Sequence, residues 1–369
     1  IAMLFGWLVY RLGLNLLYST IVMVPVVIGS IFYGNSSAWV LSTFKYSVEF
    51  WRWALVVYIF AASVLPVWLL LQPRDYLASF LLYFSVFIGA VGMIFMSGVD
   101  TTKVPMFTGF APKDGQYLWP LLFITVACGA ISGFHSLVGS GTTSKQMRKE
   151  TDALPVGYGA MLIEGVVAVI ALGTLIMAGG MMKGGPTVVY GAGIGKMCGL
   201  IGIDPKVGTS LGLLALNSFL LTSLDTATRI ARYQFQELTG NRIDKYSATA
   251  VGVAIALILL FWKTGNTPAW ALIWPVFGAA NQLVAAMALL AIGVWVIRCL
   301  NKPANFIMIP MLFMLVTTFA GLGLLIVDNL KKQPLLAAIS VILLVMAVVL
   351  CKMAWGAINK PTDNLCKTE

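Results

Sequence analysis

Between Ala127 and Gln146 the chain reads A-C-G-A-I-S-G-F-H-S-L-V-G-S-G-T-T-S-K-Q, the end of an uncharged run of 30 residues, 115–144. That run exceeds the ~20 residues needed to cross a bilayer. It carries Gly115, Gly129, Gly133, Gly139 and Gly141, the hydroxyls Ser140, Thr142, Thr143 and Ser144, and the only histidine of the chain, His135. Glycine at membrane depth lets a helix open its backbone, and freed carbonyls are tolerated there only beside protein or water. Transporters build cation and substrate sites from such openings. Small residues also let two helices pack closely. Both readings fit, and the hydroxyl cluster favours a site.

Glu164, Asp225 and Arg229 lie within or at the edge of apolar runs. Each costs about 2.5–3.5 kcal/mol on insertion scales, and such groups by default suggest function. Asp225 and Arg229, four apart, share a helix face and could neutralise each other as a structural pair at a helix end; a proton relay is the alternative. Glu164 has no basic neighbour on its own helix, so it is protonated or partnered from another span. A carboxyl that loads and unloads a proton suits proton-coupled transport, and a neutral acid tying helices together is the other reading. His135 could titrate near neutral pH or serve as a hydrogen-bonded structural group. Asn281 and Gln282 follow Trp274-Pro275-Val276-Phe277-Gly278 and must find partners in lipid, either a substrate path or another helix. Pro66 frees a backbone carbonyl within its run.

Other chemistries find little support. The pair Gly191-Ala192-Gly193 does not follow a strand, so a dinucleotide fingerprint fails its context. No Walker motif, Ser/His/Asp set or metal-ligand spacing is present, and no cofactor is expected beyond a coupling proton or sodium. Cys128, Cys198, Cys299, Cys351 and Cys366 are scattered and indicate neither a disulfide frame nor a zinc site.

The elements that position these residues follow from composition. Of 369 residues 59% are hydrophobic and 10% charged, and mean hydropathy is +0.91. A soluble domain carries about 25% charged residues, so an all-α polytopic membrane bundle is expected, one transmembrane domain over 1–369. The net charge of +10 comes from basic residues set singly in short loops. That is membrane topology and gives nucleic acid no binding face. The chain opens on Ile1 inside an apolar run, which predicts a truncated start with further helices upstream. After a severed helix over Ile1–Tyr10, ten full spans are predicted: Leu14–Gly34, Trp51–Leu71 with Pro66 inside, Tyr76–Met96, Leu118–Val138, Gly157–Ala178, Val207–Thr228, Ala248–Trp262, Trp270–Ile297, Phe306–Val327 and Leu335–Trp355. Gln72-Pro73-Arg74-Asp75 reads as a tight turn, and Gly179–Lys206 as a Gly-rich connection with a short helix near Gly191–Gly199. If each span crosses once, one side collects 14 basic residues and the other 10, with arginine divided 7 to 1. The arginine-rich side is then cytoplasmic, as is the C-terminus.

With those residues in view, the chain resembles the carbon starvation protein (CstA) family of inner-membrane transporters. The resemblance rests on V-L-P-V-W-L-L-L-Q-P-R-D-Y-L (64–77), the 127–146 stretch, G-Y-G-A-M-L-I-E (157–164), L-D-T-A-T-R-I-A-R (224–232) and W-P-V-F-G-A-A-N-Q-L (274–283). It implies uptake of small organic nutrients under carbon starvation, chiefly peptides, with pyruvate carried by some members in symport with protons. It further implies an inverted five-plus-five repeat related to the amino acid–polyamine–organocation transporters. In that frame Trp51–Leu71 is the sixth helix, broken at Pro66, and Leu118–Val138 is the eighth, with Ser140, Thr142 and Thr143 offering hydroxyls to a coupling cation. Gates near Pro66 and Gly141, with Glu164 or His135 as proton carriers, complete the expectation. Full-length relatives begin with further helices, and longer ones carry a larger insertion at Gly179–Lys206. Gly139 stands where many relatives have Ser. A membrane-embedded enzyme would need converging nucleophile, base or metal ligands, and one histidine leaves few options, so no enzyme is expected. A non-transporting structural or sensory subunit is the alternative.

Overall fold

A computed structural model describes residues 1–96, 104–105, 107–111, 117–127, 131–182, 184–264 and 267–359. Gly115, Cys128, Gly129, Cys366 and the lysines at 103, 113, 183, 360 and 367 lie outside the described residues. The helices are α1 (Ala2–Gly6), α2 (Leu16–Ser36), α3 (Ala38–Thr43), α4 (Val48–Val64), α5 (Leu71–Ile94), α6 (Phe123–Ala127), α7 (Gly133–Val138), α8 (Ala160–Ala178), α9 (Pro186–Leu200), α10 (Pro205–Leu238), α11 (Lys245–Phe261), α12 (Ala269–Cys299), α13 (Asn305–Asn329) and α14 (Pro334–Asn359). Extended structure among the described residues is one antiparallel ladder, in which Lys263 faces Pro268 and Thr264 faces Thr267.

Seven helical segments among the described residues are long and apolar enough to cross a membrane: Leu16–Gly34, Leu71–Ile94, Glu150–Ala178, Pro205–Leu238, Val276–Cys299, Asn305–Asn329 and Pro334–Gly356. The protein is thus an all-α, multi-pass helical bundle. The other three predicted spans are shorter or interrupted. α4 and α11 have 17 residues each. Leu118–Val138 divides into a π-helical turn at Leu118–Leu122, α6, and then α7.

The helices group into two compact units, Ile1–Met106 with Val166–Ile258, and Phe107–Gly165 with Leu259–Glu369. In the first, α9 packs into the core, where Ile88, Ile170, Tyr190, Ile194, Met197 and Cys198 form one buried cluster. The expected Gly-rich connection is therefore largely a packed helix of 15 residues. Its glycines permit that packing. A Cβ at Gly193 would sit 2.3 Å from the Thr174 Cβ, and one at Gly195 would sit 2.6 Å from the Pro205 carbonyl oxygen. Gly185 at φ 83 and Pro186 in the first turn start α9.

In the second unit, α12, α13 and α14 bury Leu283, Ala286, Leu290, Met311, Met314 and Ala347 together. Ile124 of α6 joins a neighbouring cluster with Val276, Ala279 and Leu322. α12 runs unbroken past Pro275. Cys299 at its end is disulfide-bonded, whereas Cys198 and Cys351 are free.

Candidate coupling site and helix breaks

In the second unit the expected opening of the backbone is present, but its place differs. Ser132 is extended at φ −108, ψ 132, and α7 starts from it at Gly133. Helical structure then continues through Gly139–Thr143 as a π-helical turn. The interruption thus precedes Gly141. A helix start leaves backbone N–H groups without intrahelical partners, and here the acceptor comes from α12. The Asn281 Oδ1 accepts the Phe134 N–H at 2.8 Å and the Ser132 hydroxyl at 3.0 Å. α7 and α12 approach so closely at this point that a Cβ on Gly133 would lie 2.2 Å from the Asn281 carbonyl oxygen. Gly133 therefore serves close packing beside a break.

The hydroxyls beyond α7 turn back on their own helix. Ser140 donates to the Ser136 carbonyl at 2.9 Å, Thr142 to Val138 at 2.9 Å, and Ser144 to Ser140 at 3.0 Å. Each hydroxyl keeps acceptor lone pairs while its hydrogen is used. Thr143 and Gly141 sit in the same turn.

His135 and Glu164, separate candidates in the sequence, meet in space: Nε2 of His135 lies 3.6 Å from Oε2 of Glu164, with both side chains partly exposed. Glu164 is thus partnered from another helix, one of the two outcomes its isolation on α8 required. Gln282, beside Asn281, is buried and lines an apolar cavity of about 420 Å³ with Val126, Ile131, Pro310 and Phe313.

In the first unit Pro66 ends α4. Leu65, before the proline, is extended at ψ 150, the conformation that proline imposes on its predecessor. The carbonyls so freed are capped by guanidinium groups of α10. Arg229 Nη2 donates to Ala62 O at 2.7 Å and to Leu65 O at 2.9 Å, and Arg232 donates to Ser63 O. Cations at a helix C-terminus also complement its dipole.

That use of Arg229 corrects the expected Asp225–Arg229 pair. Asp225, fully buried, instead takes Arg74 of α5 as its salt-bridge partner and accepts the Tyr58 hydroxyl at 2.8 Å. Arg74 also holds Asp75 at 2.7 Å and donates to Thr222 at 3.1 Å. Gln72-Pro73-Arg74-Asp75 is the first turn of α5 rather than a free turn, a position where Pro73 costs no hydrogen bond. The residues missed in sequence are Tyr58, Arg74, Thr222 and Ser132. The spacing 222, 225, 229, 232 marks one helix face and was the signal available.

Interrupted helices, capped by side chains from long continuous neighbours, mark a multi-pass helical membrane protein. The sequence profile described as carbon starvation protein CstA matches residues 1–183 and 174–321, and the chain belongs to that family. Among similar proteins, the Bacillus subtilis protein named peptide transporter CstA is 33% identical over 349 residues, covering 80% of this chain and 57% of that one. The Escherichia coli pyruvate/proton symporter BtsT is 32% identical over 361 residues, covering 73% of this chain and 50% of its own length. The E. coli peptide transporter CstA is 30% identical, with 73% and 48% covered. The chain spans about half the length of these relatives. No solved structure matches it.

Proposed function

We propose that the protein is a secondary active importer of small organic nutrients, peptides or pyruvate-like carboxylates, coupled to protons. The observation that carries this reading is the contact of His135 with Glu164 beside an interrupted helix. A carboxylate and an imidazole at this separation interact electrostatically, so a proton arriving on one changes the energy of the other. Placed where α7 begins, the pair can couple protonation to the attitude of a short helix. Relatives named as a pyruvate/proton symporter and as peptide transporters support the class.

The reading includes an inner-membrane location with a cytoplasmic C-terminus, which rests on the arginine asymmetry. Binding needs no cofactor beyond the coupling ion, and no catalytic step. The test is uptake by the purified protein in proteoliposomes. Labelled pyruvate or a dipeptide accumulates above its equilibrium level when an inward proton gradient is imposed, and fails to do so when the gradient is collapsed. Accumulation indifferent to the gradient, or none of either substrate, contradicts the reading.

A further inference from the structure

We propose that Asn281 is a positioning residue, one that holds His135 against Glu164 by fixing the start of α7. This deepens the proposed function and rests on it, because it explains how the pair is kept in register. α7 and the π-helical turn that continues it together cover 11 residues, 133–143, fewer than the ~12–15 an isolated helix needs to hold itself together. Its orientation is therefore set by what grips its ends. The N-terminal grip is the Asn281 amide oxygen, with the Phe134 N–H at 2.8 Å and the Ser132 hydroxyl at 3.0 Å. Ser132 stands at the N-cap but makes no cap of its own; its hydroxyl donates to Asn281, so one oxygen on α12 collects both donors. Asn281 is buried, and the missing Cβ of Gly133 lets the α12 backbone come close enough for this reach. His135 follows Phe134 directly, so pinning the Phe134 N–H fixes the direction in which the imidazole leaves α7.

Other charged groups on the surrounding elements are few. α6 carries none, α8 only Glu164, and α12 only Arg298, which is 17 residues beyond Asn281, about 25 Å along the helix. Asp328 is near the end of α13 and Lys352 is on α14. Lys145, Arg148, Lys149, Glu150, Asp152 and Tyr158 lie in the segment between α7 and α8. Among the described residues, the ion-pair contact of His135 is with Glu164.

The single histidine makes the inference directly readable. Tag-free protein labelled with [15N]histidine gives one imidazole spin system, that of His135. Glu164→Gln should displace its Nε2 resonance. Asn281→Leu, which removes the acceptor at similar volume, should give a displacement in the same sense, and Asn281→Asp, which keeps an acceptor oxygen, should leave the resonance near its wild-type position. If Glu164→Gln moves the signal and Asn281→Leu does not, the positioning role is overturned while the pair stands. If Glu164→Gln leaves the signal in place, the contact itself is absent and both readings fall. Should Asn281→Leu not fold, Ser132→Ala removes one of the two contacts and carries the same test. A smaller displacement in the same sense is expected, and an unmoved resonance overturns the proposal.

Discussion

Removing Arg74 should be more damaging than removing its partner Asp225. In the Arg74→Met variant, Asp225 is left with no exposed surface. Its Oδ1 already lacks a partner, and Oδ2 keeps only the Tyr58 hydroxyl at 2.8 Å. Stranding a buried charge in this way costs about 3–5 kcal/mol. In Asp225→Asn, by contrast, Arg74 keeps Asp75 at 2.7 Å and Thr222 at 3.1 Å with its side chain 15% exposed. The loss is then one charged hydrogen bond, about 1.5–3 kcal/mol. The double variant Arg74→Met/Asp225→Leu removes both charges and should cost well below the sum, since apolar replacements of buried pairs are often neutral. Equilibrium unfolding in mixed SDS/dodecylmaltoside micelles, followed by circular dichroism, gives these values, and the single variant Asp225→Leu measured alongside completes the double-mutant cycle. A cost for Arg74→Met no larger than for Asp225→Asn, or additive losses in the double variant, would refute the assigned pairing.

Four further outcomes follow from the same geometry. Gly133→Ala drives a Cβ to 2.2 Å from a backbone oxygen and 2.6 Å from the Val284 Cβ, and should destabilise by about 1–3 kcal/mol in the same unfolding assay. Gly139→Ala meets nothing within 4 Å and should be neutral or stabilising by up to about 1 kcal/mol. Arg229→Met leaves the Ala62 and Leu65 carbonyls uncapped and should cost about 1–3 kcal/mol, with amide exchange rising first at the end of α4. Asp244 accepts the Tyr246 and Ser247 N–H groups at 2.9 and 3.4 Å ahead of α11. Hydrogen bonds from Ser247 and Tyr246 hold its carboxyl below the usual value. Its contribution is therefore complete above the unfolded-state pKa, about 3.9, and is lost as pH falls through the lower folded value. Amides in the first turn of α11 should lose exchange protection over that acid range in the wild type, and Asp244→Asn should remove the pH dependence.

The sequence was most readable where one physical constraint dominated. Lipid demands apolar helices about 20 residues long, and the runs at Leu14–Gly34 and Phe306–Val327 reappear as α2 and α13 within a few residues. Pro66 likewise announced its own break, because proline constrains the residue before it. What could not be read was partnership between distant helices. Asp225 and Arg229, four apart, met every local criterion for a pair, yet Arg74, some 150 positions away in sequence, reaches the carboxylate first. Arg229 turns instead to carbonyls that exist only because α4 stops. The break ahead of α7 was displaced for a related reason. Glycine and hydroxyl content at Gly139–Ser144 marks flexibility, but the backbone opens at Ser132, where Asn281 supplies an acceptor. α9 was read only in part, as a short helix near Gly191–Gly199, because its glycines lower helix propensity locally and the close packing against α8 and α10 that offsets this is not visible in sequence.

The proposed proton coupling depends most on the contact between His135 and Glu164. Proteoliposomes bearing the Glu164→Gln protein test it directly, with gradient-driven accumulation and substrate exchange measured side by side. The predicted result is loss of accumulation with exchange retained. Accumulation at the wild-type level would contradict it.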